Sequence, residues 1–423
     1  MSGWTTKLLD GCLARHMAER SFLPYGRQQI DDDDIAAVVE TLRGDFLTTG
    51  PRVDAFEAAL AEKVGAPYAV VCSSGTAALH LACLALGLGQ GDIGFVPAIT
   101  FCATANALSY VGAEPVFADV DPESGLSELD AFAAAYARTK GEKKRAKALL
   151  PVHLNGQCAA PEALYEFARD HDLFIIEDGC HSLGAEYRTA DGQVHKVGAC
   201  HHSDMTMFSF HPVKAIASGE GGAITTRDPE LYRRLKVLRS HGIERDPSRS
   251  IAEEVGSLLA EDVGQPWYSE MQLLGYNYRM SDIHAALGLS QLKKLDRFVE
   301  TRRLLAEAYD EALRPLAPSI HPVARAKGAV SAFHLYSVQI DFPTLGLTRG
   351  ELMTRLRALG IGTQVHYTPV PYQPYYSARN RDARYSGADQ YYHRQLSLPL
   401  HAGMTKDDVD FVVTSLIGSL IPS

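Results

Sequence analysis

SFHPVKAIASGEGGAITT, residues 209–226, sets one lysine, Lys214, between a proline and a glycine-rich turn. A loop lysine is ordinarily solvated, so Lys214 acquires meaning only through partners elsewhere in the chain. The runs on either side of it, 205–209 and 223–226, read as short strands, and similar runs occur at 68–72, 94–97, 114–118, 148–152 and 173–177. Alanine- and leucine-rich helical patterns lie between them at 76–86, 101–111, 161–171 and 229–238, with Gly87 and Gly89 as the stop of the first. This alternation predicts an α/β fold with a largely parallel sheet flanked by helices.

A long helical pattern over 281–313 is expected to lead into a second, smaller α/β unit. That unit shows an extended 334–340, a helix at 348–359, the segment QVHY at 364–367 and a final helix at 405–420. The expected organisation is an N-terminal extension over 1–21, a large domain over 22–290 and a small C-terminal domain over 291–423. The polar stretch 245–269 is the best candidate for a mobile insertion.

Composition excludes several classes of function. The chain has 423 residues, 41 Lys and Arg against 51 Asp and Glu, and a net charge of -10. Nucleic acid and anionic membranes reward a basic surface, so neither is expected as a partner. Seven scattered cysteines without a CxxC pair predict reduced thiols and a cytoplasmic location. Cys180-His181 and Cys200-His201-His202 lack a matching second half, so no metal is expected and His201 and His202 read as turn residues. Every apolar run is interrupted before membrane-spanning length, and residues 1–26 lack the plan of a secretion signal.

Three stretches give Lys214 its partners. SSGT, residues 73–76, lies where a strand ends and a helix begins; free amides and the Thr76 hydroxyl there suit a phosphate, although a plain helix cap is the commoner use of such residues. FIIEDGCHSLGA empties a buried strand into Asp178, with His181 three residues on, at the end of a parallel strand where open α/β sheets bind ligands. TFCATANAL places Phe101 at a strand-to-helix corner, where an aromatic stacks on a flat ring or fills a core. A phosphate cradle, a stacking ring, an acid for a ring nitrogen and an amine for a Schiff base together specify pyridoxal phosphate.

The order SSGT, FVPAITFCATANA, GAEPVFADVDPESG, IIEDGCHSLGAEY, FSFHPVK, GEGGAITT, LRSHG, GYNYRMSDIHAALGLSQL and QVHYTPV resembles the DegT/DnrJ/EryC1/StrS family of sugar aminotransferases from about Phe22 to Leu420. The resemblance implies a fold-type I homodimer that cycles between pyridoxal and pyridoxamine phosphate. It carries the Schiff-base lysine onto Lys214, the ring-nitrogen acid onto Asp178 and a group beside the phenolic oxygen onto His181. Gly75, Thr76 and Ser209 fall on phosphate contacts, Phe101 on the stacking aromatic, and Asn277 on a contact to the neighbouring subunit's phosphate. Tyr25, Thr48, Gly50, Arg279 and His366 resemble positions on the sugar side.

FLPYGRQQID, FLTTGP, PWYSEMQLLGYNYRM and QVHYTPVPYQPYY narrow the likeness to enzymes that move the amino group of L-glutamate to C4 of a UDP-linked 4-keto-6-deoxy sugar. SSGT departs from the NSAT expected there, and HPVKAIASGEGG from HPVK-x-ITT-x-EGG. The alternatives are a pyridoxamine-phosphate 3-dehydratase, whose relatives carry His in place of Lys214, and an aminotransferase for a different keto-sugar.

Overall fold

A computed structural model describes residues 21–141, 143–378 and 383–420. All but the last residue of the N-terminal extension expected over 1–21 lies outside the described residues. The central sheet consists of β1 (Tyr68–Cys72), β2 (Asp92–Pro97), β3 (Glu114–Ala118), β4 (Arg145–Leu149), β5 (Phe174–Asp178), β6 (Met205–Ser209) and β7 (Gly222–Thr226). Their order is β1-β7-β6-β5-β4-β2-β3. β3, β2, β4, β5 and β6 are joined by parallel pairings, whereas β7 runs antiparallel to both β6 and β1.

Strand residues alternate between two packed faces, as period-2 geometry requires. Val70, Met205, Met207 and Ile224 face the helices Gly75–Ala85 and Cys102–Tyr110. Val71, Phe208 and Ala223 face Phe56, Leu60 and Phe210 on the opposite side. A three-stranded antiparallel sheet, Ile320–Pro322, Tyr336–Ile340 and Gln395–Leu398, forms over its own core of Leu305, Tyr309, Val338, Leu396 and Val412. Leu23 pairs with Ile361, so the beginning of the described chain lies beside this C-terminal part.

Several boundaries differ from the sequence reading for physical reasons. The helical pattern over 281–313 is two helices, Asp282–Leu292 and Leu295–Leu313. At the break, the Lys294 ammonium is drawn to Asp31 and to Asp34 at 2.9 Å. The strand expected at 148–152 starts three residues earlier, because Lys147 sits inside the fold with its ammonium 3.3 Å from Asp92. The 245–269 stretch is closed at its base by a ladder between Ile243–Glu244 and Glu270–Met271.

The GEGG turn needs its glycines for two different reasons. Gly219 has φ +85°, the left-handed region that favours glycine. Gly222 does not; there a Cβ would lie 2.4 Å from the Ser74 carbonyl oxygen and 2.7 Å from the Gly75 nitrogen. Both obstacles are backbone, so neither yields by a rotamer change. Gly222→Ala is expected to lose about 1–3 kcal/mol by overpacking, read as a lower urea midpoint at unchanged m-value; a variant as stable as the parent would refute the close approach.

Candidate active site

Because β7 returns antiparallel, the Lys214 loop leaves β6 and re-enters the sheet at the edge where β1 and β5 also end. Ser209 pairs with Gly222, and Gly222 pairs with Cys72. A cavity of about 500 Å³ opens there, lined among others by Gly75, Thr76, Phe101, Asp178, His181, Ser209 and Lys214. Four separate stretches, 75–76, 101, 178–181 and 209–214, thus meet through strand order.

The cradle is built from a helix start. Ser74 caps the helix Gly75–Ala85, its hydroxyl oxygen accepting from the Ala77 N–H at 3.1 Å. The N–H groups of Gly75 and Thr76 precede any intrahelical acceptor and remain for a ligand. A Cβ on Gly75 would stand 2.9 Å from Ser209 Cβ and 3.2 Å from its Oγ. Bare glycine therefore lets the Ser209 hydroxyl approach the same turn.

Asp178 is buried and held from two sides: Thr104 Oγ1 donates to its Oδ2 at 2.7 Å and the Cys180 N–H to its Oδ1 at 3.1 Å. Lys214 opens onto the same cavity, and its Nζ has no hydrogen-bond or ion-pair partner among the described residues. Burial pulls its ammonium below the ordinary lysine range, with Cys180 and Asp178 opposing that shift. His181 Nε2 lies 3.1 Å from the Tyr367 hydroxyl, its ring 4.3 Å from that of His334, and its buried Nδ1 has no partner. Phe101 is 56% exposed on the cavity wall, its ring centroid 6.0 Å from that of Tyr367, so it is no core phenylalanine.

Of the sugar-side residues, Tyr25 and His366 line the cavity with ring centroids 5.3 Å apart. Thr48 and Gly50 do not: Thr48 pairs with Ser281, and the Gly50 N–H donates to Asp282 Oδ2 at 2.8 Å. Asn277 is exposed and Arg279 half-buried, both outside the lining. His202 accepts or donates at 2.7 Å with the Tyr187 hydroxyl, and the His201 ring lies 4.5 Å from that of His195. Among the described residues no group of His, Cys, Asp or Glu is placed to hold a metal ion, and no helix is long and apolar enough to cross a membrane.

Thr104, Tyr367 and His334 were not singled out by the sequence reading. Thr104 stands one turn beyond Phe101 in TFCATANAL, and Tyr367 directly follows His366; adjacency was the only available signal. The residues present fit pyridoxal phosphate on three observations. The cradle is one that a Cβ would fill, the amine has no protein partner, and an unpartnered imidazole nitrogen is buried at the cavity wall.

Three imidazoles around the lysine stay neutral. Burial drives His181 and His334 well below the usual histidine range, followed by Lys214 for His181 and by the His181 ring and then Lys214 for His334; burial with Lys214 brings His366 down to about 3. The unfolded chain takes up protons near the free-histidine value of about 6.5 while the folded chain refuses them. Stability is therefore complete above that pH and falls as pH drops below it, by up to about 1.4 kcal/mol per imidazole per pH unit. Urea unfolding at pH 7, 6 and 5 checks this; equal stability at all three would refute neutral imidazoles.

A family model described as the DegT/DnrJ/EryC1/StrS aminotransferase family matches residues 28–417. The Bacillus subtilis spore coat polysaccharide biosynthesis protein SpsC is 38% identical over 399 residues, 93% of this chain and 96% of its own length. A Campylobacter jejuni UDP-4-amino-4,6-dideoxy-N-acetyl-beta-L-altrosamine transaminase is 35% identical over 401 residues, 94% of this chain and 97% of its own. Helicobacter pylori PseC, an aminotransferase involved in the biosynthesis of pseudoaminic acid, superposes with TM-score 0.81 at 29% identity, covering 95% of this chain and 99% of its own. The α/β architecture and the motif order have one explanation: the chain belongs to the DegT/DnrJ/EryC1/StrS aminotransferase family.

Proposed function

We propose that the protein is a pyridoxal-phosphate-dependent aminotransferase that moves the amino group of L-glutamate to C4 of a nucleotide-linked 4-keto-6-deoxy sugar for a surface or flagellin glycan. The observation that carries this is Lys214, an amine without a protein partner at a cavity that the anchored Asp178 carboxylate also lines. The names borne by the Campylobacter and Helicobacter relatives support the sugar class. The chemistry the cofactor supplies when bound is an aldehyde for amine exchange and a ring that accepts electrons.

The chain's own groups divide the remaining work. Lys214 would hold the cofactor covalently, and Gly75, Thr76 and Ser209 would hold its phosphate. Phe101 would cover the ring, Asp178 would keep a proton on the ring nitrogen, and His181 would face the phenolic oxygen. With glutamate bound, Lys214 Nζ would be the group that takes the proton from the glutamate Cα. Burial favours that role, since a lowered pKa leaves more of the amine unprotonated.

Two copies share the sites on this reading, with Asn277 reaching the phosphate of its neighbour; its exposure outside its own cavity is consistent with that. Thr48, Gly50 and Arg279 would likewise contribute through a second copy. The pairing of reduced thiols with an absence of long apolar helices among the described residues supports work in the cytoplasm.

The purified protein is expected to be yellow, to lose that colour on addition of glutamate, and to carry a borohydride-fixed adduct on Lys214 by peptide mass spectrometry. An unlabelled Lys214 would end the proposal. A panel of UDP-, GDP- and dTDP-linked keto-sugars then separates amination from elimination of water. Mixing Lys214→Ala chains with Asn277→Ala chains should regenerate roughly one intact site per mixed dimer by symmetry; activity no greater than that of either parent refutes shared sites.

A further inference from the structure

The segment carrying His366 is clamped to the strand Gln395–Leu398: the Ser397 N–H donates to the Gln364 carbonyl at 2.8 Å, and the His366 N–H to Gln395 Oε1 at 3.0 Å. Behind it lies a network of buried polar side chains, Asn155, Ser337, Gln395 and Ser397. Gln395 Nε2 donates to Ser397 Oγ at 2.7 Å and to Ser337 Oγ at 3.1 Å. The two serine oxygens are 2.9 Å apart, and His366 Nδ1 is 2.8 Å from Ser397 Oγ.

With the Asn155 and Gln395 amides oriented as they stand, counting hydrogens points to one tautomer of His366. Asn155 Nδ2 is engaged with the Tyr391 hydroxyl at 3.3 Å, which leaves its Oδ1, a pure acceptor, to take the Ser337 hydrogen at 3.2 Å. In that arrangement the Ser337 hydrogen goes to Asn155, so the hydrogen between the two serine oxygens at 2.9 Å is the one on Ser397. Ser397 then has no hydrogen left for His366, and its remaining lone pair must receive one. Nδ1 is therefore the donor, and the neutral ring has its other nitrogen bare.

His366 Nε2 has no protein partner among the described residues and is not sealed from the cavity that the ring lines. We infer that Ser397 and Gln395 are positioning residues that hold His366 as its Nδ1–H tautomer, so that Nε2 presents a hydrogen-bond acceptor to an O–H or N–H group of the sugar substrate. A bare acceptor nitrogen attracts hydroxyl and amide donors and repels carboxylate oxygens, which assigns His366 to the sugar and not to the carboxylates of glutamate. The inference rests on the keto-sugar aminotransferase reading and deepens it by naming the group recognised. The low pKa of His366 agrees with a ring that stays neutral at physiological pH.

The test has a spectroscopic arm and a kinetic arm, both on the holoenzyme. With 15N-labelled histidine, the His366 resonances, assigned by their loss in His366→Asn, are expected to show a protonated Nδ1 and an unprotonated Nε2. Ser397→Ala is expected to raise KM for the keto-sugar about tenfold, the value of one lost hydrogen bond. Its kcat and the rate of the glutamate half-reaction should stay within about twofold, and Ser397→Thr, which keeps the hydroxyl, should restore KM. A protonated Nε2, an unchanged KM in Ser397→Ala, or equal losses in the glutamate and sugar half-reactions would each overturn the inference. A parent protein that does not react with glutamate would instead refute the aminotransferase reading, while the tautomer measurement keeps its own outcome.

Discussion

One reversed strand organises the site. β7 lies between β1 and β6 and opposes both, so the loop that carries Lys214 must turn back at the same edge where β1 gives way to the cradle helix. The contact that sets the spacing is backbone on backbone, Gly222 against Ser74 and Gly75, with no room for a Cβ. Interposing β7 separates the ends of β1 and β6 by two strand spacings, about 10 Å, a gap wide enough for a substituted ring. β5 is the next strand over, and its last residue is Asp178. Cradle, amine and acid are thereby distributed across one sheet edge without any of them belonging to a flexible tail.

That geometry places an amine in a poorly solvated hollow, and the surroundings are adapted to it. An unpaired buried ammonium is unfavourable, and its pKa falls accordingly. The neighbouring imidazoles respond in the same direction, since Lys214 adds to the burial that holds His181, His334 and His366 neutral. The wall around the amine carries the rings of Tyr25, Phe101, His181, His366 and Tyr367, with the Asp178 carboxylate fixed by Thr104 and by a main-chain N–H. An amine in such a place works as a base or a nucleophile, not as a surface cation.

The sequence was most informative where local pattern and tertiary role coincide. β1, β3 and β6 were read at their observed limits because apolar, β-branched or aromatic residues make up most of each. β4 was displaced because Arg145 and Lys147 look like loop residues, and only the acid Asp92, 55 positions from Lys147, explains their place in a strand. The continuous helix over 281–313 failed for the same reason, since Lys294 is turned toward acids more than 250 residues away in sequence. Lys214, Asp178, Phe101 and the SSGT turn were legible because each sits at the end of a strand. Thr104 and Tyr367 were not, because their meaning lies in contacts to Asp178 and His181 across 74 and 186 residues.

The cavity joins two structural sources, and this division corresponds to the two halves of the proposed reaction. The cradle, Asp178 and Lys214 all come from the edge of the central sheet. Gln364, His366 and Tyr367 come from a segment tied to the C-terminal sheet, and Tyr25 follows the strand-like pairing of Leu23 with Ile361 on that same side. On the proposed reading the amine exchange would draw on the first set, and the sugar would be met by the second. Substitutions in the C-terminal part can then alter which keto-sugar is accepted while the cradle, acid and amine remain in register, because no hydrogen bond within the Asn155–Ser337–Ser397–Gln395 network passes through Asp178 or Lys214. A direct polar link between the two sets at the cavity is Tyr367 to His181, and it places the C-terminal segment against the side of the site where the ring would lie.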